Sequence, residues 1–168
     1  GTGLTLPTPT RTGYTFGGWY EDSSCTGTKV TSIATTATGN ATYYAKWTVN
    51  TYTVTYNKNS GTITNESNYT KYTYGTGLTL PTPTRTGYTF GGWYETSGFT
   101  GTKVTSISTT ATENKTYYAK WTANTYTVTY HKNSGSIANE SNYASYAYGT
   151  GLTLPTPTRT GYTFGGWY

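Results

Sequence analysis

The sequence predicts a mainly β chain of tandem small repeat units, set end to end as a rod. Three observations carry that prediction. A twenty-residue stretch, GTGLTLPTPTRTGYTFGGWY, stands letter for letter at 1–20, 75–94 and 149–168, so the chain repeats every 74 residues and is read one unit at a time. Runs such as TYTVTY at 51–56 and TYYAKWT at 116–122 alternate large and polar side chains with the period of a strand. Only three residues, 122–124, separate Trp121 in the last strand of one unit from the first strand of the next at Thr125, with no Gly or Pro among them, which predicts a stiff joint rather than a flexible linker.

The natural unit runs from 51 to 124. Its opening strand, 51–56, sets Tyr52, Val54 and Tyr56 on one face and threonines on the other. Residues 57–61 (NKNSG) are turn chemistry, and a polar segment leads to a second strand expected over 69–74. In the partial copy that follows, Thr70, Lys71 and Thr73 become Ala144, Ser145 and Ala147, while Tyr69, Tyr72 and Tyr74 return as Tyr143, Tyr146 and Tyr148. Substitutions that spare the tyrosines mark those rings as structural.

The shared stretch begins with a strand-forming run at 78–80. Pro81 and Pro83, spaced by threonine, then impose an extended path without backbone donors. Gly87 punctuates, and Tyr88, Thr89 and Phe90 resume a strand whose pleat Gly91 and Gly92 break before Trp93 and Tyr94. A Gly/Ser/Thr loop at 95–102, a short extended piece at 103–107 and at most one helical turn near 109–113 precede the closing strand at 116–122. That strand carries Tyr117, Ala119 and Trp121 on one face.

The chain therefore divides into the C-terminal part of a unit (1–50), a complete unit (51–124) and the N-terminal part of a unit (125–168). A unit of this size has a radius of gyration of roughly 11 Å and should add roughly 30–40 Å to an array. The two partial units are expected to be completed by continuing or neighbouring chain, because an opening strand without its partner leaves backbone groups and aromatic surface open.

So small a unit buries only about 60% of its unfolded surface and needs a core dense in large side chains. With 20 Tyr, 5 Trp and 4 Phe, the core is predicted to be aromatic, built on Tyr52, Val54, Tyr56, Tyr72, Tyr88, Phe90, Trp93, Tyr117, Ala119 and Trp121. Charged residues make up 10% of the chain against about a third for Ser and Thr, so hydroxyls rather than charges make the surface polar. The 11 Lys and Arg are dispersed and form no basic run suited to nucleic acid. No apolar run approaches the roughly 18 residues of a membrane span.

The run from TYTVTY through LPTPTRTGYTFGGWY to TYYAKW resembles the Listeria-Bacteroides repeat, which includes the B repeat of internalin-type surface proteins. The core of that resemblance is Pro-Thr-Arg-x-Gly-Tyr-x-Phe-x-Gly-Trp-Tyr at 83–94, followed by Tyr-x-Ala-x-Trp at 117–121. It implies a small β-grasp-like module of mixed sheet, with strand 51–56 central and parallel to strand 116–122, strung in extracellular arrays. The expected role is a non-enzymatic stalk or spacer of a surface adhesin, or the body of a secreted filament, with neighbouring repeats of the same or an identical chain as partners. The alternative is a module binding a glycan or host receptor by avidity.

Catalytic chemistry finds little support. His131 stands where the other copy has Asn57, Asp22 where it has Thr96, and Cys25 where it has Phe99, so each candidate nucleophile, base or ligand is dispensable between copies. No cofactor or metal site is expected, and the one cysteine reads as a hydrophobic filler. Lys58, Asn59 and Glu66 supply the residue types of an internal isopeptide bond without an apolar cage. LPTPT at 80–84 has Pro where a sortase signal needs Thr, and is read as a structural turn. Five N-x-Ser/Thr sequons, at Asn40, Asn65, Asn68, Asn114 and Asn139, are about what so hydroxyl-rich a chain yields by chance. Trp93 and Tyr94 are the candidate platform for stacking on a sugar, set against a core role for the same rings.

Overall fold

A computed structural model describes residues 2–168; Gly1, the first residue of the leading partial unit, lies outside them. The leading partial unit holds strands β1 (Leu4–Thr5), β2 (Tyr14–Tyr20), β3 (Ser32–Ile33) and β4 (Tyr44–Val49). The complete unit holds β5 (Thr51–Asn57), β6 (Lys71–Thr73), β7 (Leu78–Thr79), β8 (Tyr88–Tyr94), β9 (Ser106–Ile107) and β10 (Lys115–Ala123). The trailing partial unit has β11 (Thr125–Thr127) and β12 (Ser145–Ala147). The helical segments among the described residues are two four-residue 3-10 turns, Glu66–Tyr69 and Glu140–Tyr143.

In the complete unit the sheet order is β6-β5-β10-β8. β5 and β10 are the two central strands and run parallel, with Lys115 opposite Val54 and Tyr118 opposite Asn57, whereas β6 and β8 flank them antiparallel. The result is a mixed sheet. β7 and β9 pair separately as a two-stranded ribbon.

Local chemistry explains the elements. β5 alternates as its sequence demands, with Val54 and Tyr56 buried and the threonines exposed. The strand expected over 69–74 is shorter than predicted. Asn65 adopts a left-handed conformation (φ 52°) that starts the 3-10 turn, and the Thr70 hydroxyl donates to the Ser67 carbonyl, so Tyr69 ends a turn and pairing begins only at Lys71. Pro81 and Pro83 are buried on an extended path, and Thr84 beyond them exchanges two backbone hydrogen bonds with Thr62. In β8 the register with β10 slips between Gly92, opposite Lys120, and Phe90, opposite Trp121, leaving Gly91 unmatched as a bulge. Gly92 has φ 127°, and a Cβ there would stand 2.8 Å from the Lys103 side chain, so glycine is required.

The core lies on one face of the sheet: Val54, Tyr56, Ile63, Tyr72, Leu80, Trp93, Ile107, Tyr117 and Ala119. Ala119 faces Trp93 across the β8–β10 ladder, and its small side chain leaves room for the indole against Tyr56, 4.9 Å between ring centroids. Polar ends of buried rings reach backbone carbonyls. The Trp93 indole N–H donates to Pro81 O (2.7 Å), the Tyr56 hydroxyl to Tyr69 O (3.2 Å) and the Tyr72 hydroxyl to Glu113 O (2.5 Å). Among the described residues no buried side-chain nitrogen or oxygen lacks a partner.

Candidate functional site

The geometry gathers its distinctive contacts at the joint between units rather than at a cleft. β10 continues to Ala123, so the joint is tighter than the three residues predicted: a single asparagine, Asn124, separates β10 from β11, as Asn50 separates β4 from β5. Asn50 is held on every side. Its N–H donates to Gly13 O (2.9 Å), its carbonyl accepts the Tyr74 N–H (3.0 Å), and its Oδ1 accepts the Thr15 hydroxyl (2.6 Å). Asn124 repeats the set with Gly87 O (2.9 Å), the Tyr148 N–H (2.8 Å) and the Thr89 hydroxyl (2.7 Å). An asparagine can do this because it offers a side-chain acceptor beside the backbone pair of any residue.

Aromatic packing completes the joint. Tyr74 of one unit meets Tyr14 of the preceding one edge to face, 5.8 Å between centroids, and Arg11 covers the Tyr14 ring at 3.7 Å. Tyr148, Tyr88 and Arg85 repeat this at 5.6 Å and 3.7 Å. Gly13 and Gly87, both at φ 76°, lie under the following unit's tyrosine; a Cβ on either would stand 2.2 Å from that ring. At Gly161, the third copy, the same space is open.

The side chains singled out from the sequence fall into three groups. Val54, Tyr56, Tyr72, Trp93, Tyr117 and Ala119 are buried in the core. Tyr52, Phe90 and Trp121 are half-buried at its rim, where the Phe90 and Trp121 rings pair at 5.3 Å and the Trp121 N–H donates to Lys58 O. Tyr88 corrects its assignment: it packs against Tyr148 at the joint, because the residue that begins β8 stands at the edge facing the next unit. Three aliphatic core residues, Ile63, Leu80 and Ile107, escaped the sequence reading. They sit singly in loops or two-residue strands, where no periodicity marks them.

The sugar platform is likewise corrected. Trp93 is 2% exposed and Tyr94 7%, and Tyr94 is covered by Phe99 edge-on and by the Lys120 ammonium, so neither ring offers a free face. Lys58 forms an ion pair with Glu66 (2.6 Å) while the Asn59 amide donates to Ala119 O (2.7 Å), so the two groups of the isopeptide motif point to different partners. Asp22 accepts hydrogen bonds from Ser24 and Thr26 in a surface loop; the Ser24 hydroxyl, foremost, holds its carboxyl below the usual range. Cys25 sits in that loop with φ 51°, as Phe99 does at φ 55° in the next copy.

Burial pushes the Tyr56 phenol, and to a lesser extent that of Tyr117, above the ordinary tyrosine range. The folded state therefore holds these protons more tightly than the unfolded chain. The stabilisation is full below the unfolded pKa of about 10 and is lost above it. The unfolding free energy from urea titrations should hold steady from neutral pH to about pH 9 and fall above about pH 10, by up to roughly 1.4 kcal/mol per pH unit for each phenol that only the unfolded state ionises, and the midpoint should fall with it. An unchanged midpoint at pH 11 would contradict the buried phenols.

The sequence model of the Listeria-Bacteroides repeat domain matches residues 1–46, 52–120 and 126–168. The chain belongs to the Listeria-Bacteroides repeat family. A relative in Evansella cellulosilytica, named "Putative membrane protein", is 37% identical over 95% of this chain. Internalin H of Listeria monocytogenes is 43% identical over 52% of it. The chain spans only 23% and 15% of these two relatives' lengths. No solved structure matches it at a significant level. Among the described residues no helix is long and apolar enough to cross a membrane.

Proposed function

We propose that this Listeria-Bacteroides repeat chain is part of a non-enzymatic, extracellular array of β-grasp-like units that acts as a rod: the stalk or spacer of a surface adhesin, or the body of a filament. One observation carries the reading. The chain passes from one unit to the next through a single asparagine, and the same hydrogen bonds and tyrosine contacts fix that asparagine at both joints. A spacer needs repeatable geometry and no reactive group, and the joint supplies the first. The similarity to an internalin and to a protein named for a membrane agrees with a place at the cell surface.

The rise per unit follows from the register. Because Val54 stands level with Lys115, the path from Thr51 to Thr125 climbs thirteen residues along parallel strands, about 40 Å. Spin labels at Thr5 and Thr79, equivalent exposed positions one repeat apart, should report one narrow distance near that value. A broad distribution would mean a flexible joint and would sink the rod.

Neighbouring repeats are the proposed partners. In the trailing partial unit an open cleft is lined by Lys132, Asn133, Gly135, Phe164 and Trp167. The corresponding residues of the complete unit, Lys58, Asn59, Gly61, Phe90 and Trp93, seat Ala119 and Trp121 of β10. A Tyr-x-Ala-x-Trp strand of another repeat fits this cleft by the same contacts.

A further inference from the structure

We infer that the complete unit is a tension-bearing element whose first and last strands form a shear clamp along the chain axis. The chain enters the unit at Thr51, at the start of β5, and leaves at Ala123, at the end of β10. These strands are adjacent and parallel, with four register pairs from Lys115–Val54 to Tyr118–Asn57. Entry and exit therefore lie at opposite ends of one ladder. Tension between neighbouring units draws β5 one way and β10 the other, so the load falls along the strands and reaches every bond of the ladder together. An antiparallel pair pulled at its open end breaks one bond at a time.

Side chains reinforce this sliding plane at both ends. Below the ladder the Asn114 side-chain oxygen accepts the Thr53 N–H at 2.9 Å. Above it the Asn59 amide donates to Ala119 O at 2.7 Å and the Trp121 indole N–H donates to Lys58 O at 2.9 Å. All three bonds join the entering segment to the leaving one, and each spans about 60 residues of sequence, so none serves a local turn. The Trp121 ring also lies over Gly61, where a Cβ would stand 2.5 Å from it; the β5 end of the plane is capped by an aromatic wedge. Strand β8 adds width on the far side of β10 through six register pairs. The joint asparagines pass force directly between strands, since Asn50 and Asn124 are the only residues between the last strand of one unit and the first of the next.

The inference rests on the spacer reading only in that a spacer transmits force, and the two are tested apart. A failed label-distance measurement would leave the force comparison below unaffected, and the reverse also holds. The full chain is pulled by single-molecule force spectroscopy in two directions. Pulling from both chain ends loads the complete unit in shear. Pulling from Thr86→Cys, an exposed position, and the C-terminal end in a Cys25→Ser background peels β8 from β10, starting at the Gly87–Asn124 bond and the adjoining Tyr88–Ala123 pair.

The final event in shear should release roughly 220 Å of chain, the extended length of 74 residues less the folded span. It should require a force about twofold or more above the peeling event, because forced unfolding reports the barrier along the direction pulled. Asn59→Ala and Asn114→Ala should lower the shear force and leave the peeling force unchanged. Equal forces in the two directions would overturn the clamp without any alteration of its residues. A loss shared equally by both directions in the asparagine variants would overturn the role given to the two asparagine bonds.

Discussion

Replacing Trp93 with alanine is expected to remove about half the stability of the complete unit. Trp93 is one of the largest fully buried side chains, its ring touches Tyr56 and Phe90, and its N–H satisfies the Pro81 carbonyl. Truncating a buried aromatic costs about 3–5 kcal/mol, cavity included. At roughly 0.05–0.15 kcal/mol per residue, a 74-residue unit has about 4–11 kcal/mol in total. The urea midpoint followed by near-ultraviolet circular dichroism should fall accordingly. Trp121→Ala should cost less, since that ring is only half-buried and the core behind it stays closed. Equal losses at the two positions would show that burial is not what sets the cost.

Gly13→Val should undo the joint without unfolding the complete unit. The backbone at Gly13 has φ 76°, a conformation that costs a β-branched residue about 1–3 kcal/mol, and the new Cβ would coincide with the Tyr74 ring. The strain is relieved most simply by expelling Tyr74, which also breaks its contact with Tyr14 and weakens the hold on Asn50. The distance between labels at Thr5 and Thr79 should then broaden, while the melting of the 51–124 unit changes little because Gly13 belongs to another unit. Tyr74→Ala should broaden it as well, and adding it to Gly13→Val should not restore order. A narrow distance in Gly13→Val would mean that the joint does not depend on this contact.

Much of the fold was legible because strand alternation is written in large residues. In β5, Tyr52, Val54 and Tyr56 face inward and the threonines outward, and in β10 Tyr117, Ala119 and Trp121 share the core face. The glycine pair at 91–92 announced its bulge because little else in a strand calls for two glycines. The joint was legible only as a short connection. That Tyr74 and Tyr88 serve neighbouring units, rather than their own cores, depends on which unit lies beyond them. A signal was nevertheless present: Gly-Tyr at 13–14 and 87–88 recurs with a tyrosine at 74 and 148, one pair for each joint.

The shared stretch separates what sequence settles alone from what it cannot. In all three copies the tryptophan N–H donates to the carbonyl of the proline twelve residues earlier, Trp19 to Pro7, Trp93 to Pro81 and Trp167 to Pro155. The arginine likewise covers the tyrosine three residues on, Arg11 on Tyr14, Arg85 on Tyr88 and Arg159 on Tyr162. These contacts close within the stretch, so the letters suffice. The strand does not: YTFGGWY is a seven-residue strand at Tyr14–Tyr20 and Tyr88–Tyr94, where β4 and β10 pair with it, and is not one at 162–168. Burial follows the same line, since Leu80 is 7% exposed and Leu154 50% in identical surroundings of sequence. The period, the polarity pattern and the local turns belong to the chain itself. Strand and core exist only where a second segment supplies the partners for backbone N–H and C=O groups and the surface that excludes water from the rings.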